Sequence, residues 1–351
     1  MSAGDDPTTN STQDDSLSVN AKLSQEDLGL LVSEIGDHAS HSTHINSAHC
    51  IQPSISPGYG TSSKSELGRF VLVRDVTQQH GISLSFALQT GTGNLYRGSW
   101  VNDGVPCAIK VYNCTENELE TWRELRHPHI LRIFKIMPFS PGTCLAVSDL
   151  CLTSLECLLA GESPGVISEA WTLFYTRQIT DALAYLTTCR FAHGHLGLKK
   201  ILLFRLDKVK LGGLEKMIYC NSGSKVPTSA LNALNREIQP PEMIIGCDYL
   251  IDPYKIDTYC LGEIIKSMLD NNDSTARLAS TTIQPVSDAC RHLLMHMLHP
   301  NPDNRASLNN VKFSDWFRSE IIPESLILSR NAASTNSYDD QNSTTFSLYS
   351  A

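Results

Sequence analysis

Between residues 68 and 113 apolar and polar positions alternate in short runs separated by turn residues: RFVLVRDV (69–76), SLSFALQT (83–90), LYRGSW (95–100) and PCAIKVYN (106–113). A period of two broken by Gly, Asn and Asp predicts a small antiparallel sheet. An acidic stretch, 116–126, predicts a short helix. LRIFKIM (131–137) and TCLAVSDL (143–150) return to strand-like composition. From Ser168 to Thr188 the apolar residues fall at 171, 174, 175, 179, 183 and 186. That is helical spacing, and it predicts a long amphipathic helix central to a larger, helical half. Next comes a tight turn, a strand at 200–204, a turn at Asp207 and a second strand at 208–211. Strands first and helices afterwards predict an α+β, bilobal architecture, with a small β-rich N-lobe and a mainly helical C-lobe.

The ends of the chain read differently. Residues 1–66 are rich in Ser, Thr, Asn, Asp and His. Such a segment buries too little apolar surface to offset the entropy of ordering, so a disordered tail is expected. Ser24-Gln-Glu-Asp27 ahead of Leu28, Leu31, Val32 and Ile35 could cap one short helix within it. His38, His41, His44, His49 and Cys50 fit no common zinc spacing. Residues 319–351 are expected to be mostly disordered again, leaving a domain at 67–318.

Composition narrows the function classes. A net charge of −9 argues against a nucleic-acid or anionic-membrane surface. Eleven cysteines are scattered without a CxxC pair, as in a reduced protein, so a cytoplasmic or nuclear compartment is expected. Neither a signal peptide nor a membrane span is read in the sequence.

Candidate chemistry concentrates in His193–Glu215, HGHLGLKKILLFRLDKVKLGGLE. In register this stretch resembles the catalytic and metal-binding loops of protein kinases. Those loops read His-Arg-Asp-x-x-x-x-Asn and Asp-Phe-Gly, with the first Asp accepting the substrate proton and the Asn and second Asp holding Mg2+. Here the three positions are His195, Lys200 and Gly213. An ammonium cannot coordinate a cation that demands oxygen ligands. Other kinase elements persist. Ala108-Ile109-Lys110 matches the strand lysine, with Glu118 as its expected helix partner and Glu116 and Glu120 as rivals. Gly91 and Gly93 resemble the end of a glycine-rich nucleotide loop, although Leu88 and Thr90 replace its first two glycines. A plain hairpin and a structural ion pair explain these residues as well as a vestigial nucleotide cleft does. Pro240-Pro241-Glu242 resembles Ala-Pro-Glu, Asp257 the brace of the catalytic loop, and Arg305 the arginine that pairs with Glu242. The architectural residues are kept in order while the chemical ones are not.

Within that superfamily the chain resembles the Tribbles pseudokinases. Their catalytic loop reads Leu-Lys-Leu-Arg-Lys, here Leu196-Gly197-Leu198-Lys199-Lys200. Their Ser-Leu-Glu is here Gly213-Leu214-Glu215. Leu173-Phe174-Tyr175 and Asp315-Trp316-Phe317 are similar too. The chain departs from them at His195 and Gly197, where the family keeps Asp and Lys. The resemblance implies an inactive scaffold that recruits a substrate or a signalling kinase through its domain. It also implies an E3 ubiquitin ligase bound through Glu320-Ile321-Ile322-Pro323-Glu324, which has Ile where the family motif has Val. Two alternatives stay open. One is an allosteric partner of an active kinase, like the STE20-related adaptor, whose corresponding loop reads Gly-Leu-Arg. Another is a weak unconventional kinase. His193-Gly194-His195 also resembles the His-Gly-Asn of Janus pseudokinase domains. No metal and no obligatory cofactor are expected. Metal-free ATP binding through Lys110 and Lys200 is the exception the residues allow.

Overall fold

The computed structural model describes residues 62–88, 94–160, 167–221, 225–232, 237–244, 250–270 and 286–323. It is built as two lobes. The N-lobe is a five-stranded antiparallel sheet of order β1-β2-β3-β5-β4. Its strands are β1 (Ile82–Leu88), β2 (Leu95–Trp100), β3 (Pro106–Tyr112), β4 (Ile133–Ser140) and β5 (Thr143–Asp149). The sheet's apolar face gathers Ile82, Tyr96, Cys107, Ile109, Val111, Met137, Leu145 and Val147 into one buried cluster.

RFVLVRDV is not a strand. It lies in a helix, α1 (Ser62–Gln79), that packs on this sheet. Phe70, Val73, Val76 and Thr77 recur at helical intervals, with Val73 and Thr77 fully buried. Four consecutive apolar residues, Phe70 to Val73, carry no period by themselves, and the contact with the sheet decides the conformation. The same helix begins ahead of the boundary expected at 67. Residues 1–61, including the segment at 24–35 and the histidine cluster, lie outside the described residues.

Helix α2 (Glu116–Glu124) lies between β3 and β4. It starts in a capping box, in which Glu118 Oε2 accepts from the Thr115 NH (2.8 Å) and hydroxyl (3.0 Å). Leu119 and Trp122 point inward, and the Trp122 indole donates to the Leu131 carbonyl (2.9 Å).

Below the Asp149–Leu152 crossing, the short strand β6 (Thr153–Ser154) leads into α3 (Leu155–Leu159), with Ser154 as N-cap. Helix α4 (Glu169–Thr188), capped by Ser168, buries Trp171, Tyr175, Ile179, Leu183 and Leu186. It supports strands β7 (Phe191–Ala192), β8 (Ile201–Arg205) and β9 (Lys208–Leu211). β8 and β9 form the expected hairpin, with β6 on its other edge, while β7 pairs with β10 (Ile218–Tyr219). Gln178 of α4 anchors the hairpin by donating to the Asp207 carbonyl (3.0 Å) and accepting from the Val209 NH (2.9 Å). Helix α5 (Thr228–Asn232) precedes the Pro240-Pro241-Glu242 turn. The lobe is completed by α6 (Pro253–Leu269), α7 (Asp288–Met297), α8 (Leu308–Lys312) and α9 (Asp315–Arg318). One large core runs from Trp122 under the N-lobe to Trp316 in α9. Among the described residues no helix is long and apolar enough to cross a membrane, and nine cysteines are free thiols.

Candidate functional site

The turn before β8 is held from below. Asp257, near the start of α6 and almost fully buried, accepts from the backbone NH of His193 (2.7 Å) and of Gly194 (2.8 Å). His193 is itself fully buried. Its Nε2 lies 3.1 Å from the Gly212 carbonyl, and its Nδ1 accepts from the His195 NH (3.2 Å). A ring that accepts at Nδ1 and donates from Nε2 is the neutral tautomer. Burial pushes its pKa down to about 4. His193 and Asp257 thus clamp the two loops that flank the β8–β9 hairpin.

A second brace lies deeper. Arg305 and Glu242 form a two-pronged ion pair, 2.8 and 2.7 Å, with both side chains almost wholly buried. Two further guanidinium donors reach the Lys255 and His299 carbonyls, and the plane covers the Tyr259 ring. Four of the five guanidinium donors are thus engaged, which is what makes a buried pair tolerable.

The cleft carries a different set of charges from the one the sequence pattern predicts. Lys110 on β3 faces Glu215 and Lys200. Burial lowers its pKa, Glu215 pulls it back up and Lys200 pushes it down. Its ammonium lies 4.6 Å from the Tyr112 ring centroid. Among the described residues no carboxylate lies within ion-pair distance of it. Glu118 is therefore not its partner. Glu118 binds Lys216 (3.1 Å) and caps its own helix. Burial alone would raise its pKa, but the bonds from Thr115 and Lys216 outweigh that and hold it low. The physical reason is local. Lys216 follows the Gly213 turn directly and meets the N-terminal end of α2 before Lys110 can.

Lys200 sits 3.9 Å from Glu215, and both side chains are mostly buried. Its aliphatic stem lies against Gly213, which adopts φ +77°. A Cβ there would overlap Lys200 Cδ and stand 3.0 and 3.1 Å from Cε and Cγ. Among the described residues Glu215 Oε2 is buried without a hydrogen-bond partner. On the other side Glu237 covers the turn at Gly197: its Oε1 accepts from the Leu198 NH (3.2 Å), and a Cβ on Gly197 would stand 2.6 Å from Oε2. His195 is half-buried beside this turn. Lys210 binds Asp149 across the junction of the lobes (2.6 Å).

Glu215, Lys216, Glu237 and the Lys210–Asp149 pair were not read from the sequence as site residues. Glu215 and Lys216 carried one signal, opposite charges directly after the Gly213 turn. Gly91, Gly93 and Glu324 lie outside the described residues. Glu320 to Pro323 follow α9 without regular secondary structure, with Ile321 and Ile322 exposed and Pro323 buried. Among the described residues no three His, Cys, Asp or Glu side chains converge to hold a metal.

Comparison with known sequences agrees with this framework. CBL-interacting serine/threonine-protein kinase 17 of Arabidopsis thaliana is 22% identical over 279 residues, covering 73% of this chain and 61% of its own length. The carbon catabolite-derepressing protein kinase of Candida albicans is 23% identical over 284 residues, 76% of this chain and 45% of its own. An Aurora kinase of Patiria pectinifera is 24% identical over 228 residues, 62% and 54% respectively. The chain spans about half the length of these relatives. The protein kinase domain model matches residues 107–317, from β3 through α9, and the chain belongs to that family.

Proposed function

We propose that this chain is a Tribbles-like pseudokinase: a kinase-fold scaffold that transfers no phosphate. The observation that carries the reading is the packing of Lys200 against Gly213. Two substitutions at positions that hold Mg2+ in active kinases have become one structural contact. Lys110, Lys200 and Glu215 together supply two ammonium groups and one carboxylate. That set does not fit Mg2+, which is octahedral and takes oxygen ligands. Glu237 over Gly197 adds a carboxylate where an acidic phosphate would be repelled.

The same reading assigns the chain's contacts. The domain, near 67–318 with α1 added, would hold a signalling kinase or a ubiquitination substrate. Glu320–Glu324 would take an E3 ubiquitin ligase of the constitutive-photomorphogenesis type. The root of that segment is fixed: Arg177 of α4 donates to the Phe317 (2.7 Å) and Ser319 carbonyls, and Trp316 donates to Glu169 (2.7 Å). A fixed root with exposed Ile321 and Ile322 suits a docking peptide.

Two measurements on the full chain test this. Thermal unfolding with ATP, in Mg2+ or in EDTA, reads nucleotide binding, because a ligand of the folded state raises the midpoint. No shift in either condition is expected of a pure scaffold. A shift in EDTA assigns the excess positive charge of Lys110 and Lys200 to metal-free nucleotide binding and favours an allosteric partner of an active kinase. A shift that requires Mg2+ overturns the reading. Deleting 319–325 should abolish ligase capture, and capture that survives the deletion removes the tail from the proposal.

A further inference from the structure

Helix α7 lies on the C-lobe with Cys290, Leu293 and Met297 turned into the core. Its opposite face carries His292 and His296, one turn apart and both exposed. Their rings stand edge to face with centroids 4.6 Å apart, and their Nε2 atoms approach to 3.4 Å. Residues i and i+4 of a helix are neighbours, so proximity alone is ordinary. The pairing of the rings is more specific. The two Nε2 atoms face each other within hydrogen-bond reach, although either ring could turn its nitrogen to solvent. A tetrahedral Zn2+ with Zn–N bonds of about 2.0–2.1 Å holds two imidazole nitrogens about 3.3–3.4 Å apart. The observed separation is that edge length.

We propose that His292 and His296 form a two-histidine chelate for a late first-row divalent ion of the Zn2+ class. Imidazole is the ligand these ions share, and the two rings sit on a rigid helix rather than on a loop. Among the described residues no third His, Cys, Asp or Glu joins them. Asp288, one turn earlier, is taken up by Arg291. Two coordination positions are therefore left to water in the free chain. The neighbouring Met295 is among the most exposed apolar side chains of the domain, 74% open. The site is separate from the cleft, and it stands whether or not the cleft binds nucleotide.

The test is calorimetric titration of Zn2+ into the full chain without a histidine tag, and into His292→Ala, His296→Ala and the double variant. The chain holds twelve histidines, so the site is read as a difference. Once one imidazole is bound, the second acts at high effective concentration, so losing either should weaken binding at this site by about tenfold or more. Each single variant should lose the same equivalent of ion, and the double variant no more than either. Both side chains are exposed and Ala favours helix, so melting without metal should be unchanged. Wild type and single variants that titrate alike overturn the proposal. So do losses that add between the singles, since they mark two independent one-nitrogen contacts.

Discussion

The stem of Lys200 occupies the space that a side chain at residue 213 would need. Gly213 also takes φ +77°, in the left-handed region, where a Cβ costs about 1–2 kcal/mol. Two separate penalties therefore meet at one residue. One belongs to the backbone alone, and the other is removed by shortening Lys200.

This separation gives the first prediction. Gly213→Ala should destabilise the chain by about 2 kcal/mol or more. Lys200→Ala in the same chain should recover part of that loss, a coupling of about 0.5–3 kcal/mol in a double-mutant cycle. Urea unfolding midpoints at constant m-value read both. Strict additivity would mean that the two side chains do not share this space.

Glu118 gives a prediction that separates the observed pairing from the one expected of an active kinase. Its ion pair with Lys216 is 36–40% exposed. Glu118→Gln should therefore cost less than about 1 kcal/mol. Had Glu118 been the buried partner of Lys110, removing its charge would have cost about 3–5 kcal/mol. Denaturant titration of the single variant distinguishes the two.

Arg305 and Glu242 lie at the opposite extreme. Both are buried, and either one left alone is an uncompensated charge. Arg305→Met and Glu242→Gln should each cost about 3–5 kcal/mol, and the pair together less than their sum. Equal, additive losses would show that the two side chains act independently.

How much of this was legible in the sequence follows from the range of each interaction. The β8–β9 hairpin and α4 follow from local period, and the order Glu242, Asp257, Arg305 follows from the resemblance to kinase motifs. Helix α1 was missed because its apolar run, 70–73, has no period of its own, and only packing on the sheet selects helix. The surroundings of Lys110 and the partner of Glu118 were missed because they turn on where Glu215 and Lys216 emerge from a left-handed turn. Sequence register cannot specify that. The contact between Lys200 and Gly213 joins residues 13 positions apart through the hairpin between them. Each alone reads as a lost ligand, and only the packing joins them into one device.

His193 makes stability depend on pH. Burial is the main cause of its low pKa. Lys200 and His195 lower it further, while the Gly212 carbonyl and Glu215 oppose them. The folded value is about 4 and the ordinary value 6.5. Between the two, the unfolded chain binds a proton that the folded chain does not, so stability falls as pH falls. The loss should begin below about pH 6.5 and level off below about pH 4, reaching about 3 kcal/mol from this residue. Above pH 6.5 both states hold a neutral ring and this contribution is flat. Urea midpoints from about pH 7.5 to 4.5 should therefore drop more steeply in the wild type than in His193→Gln, whose side chain does not titrate. Parallel curves would place the charged ring in the folded state and break the neutral contact with Gly212.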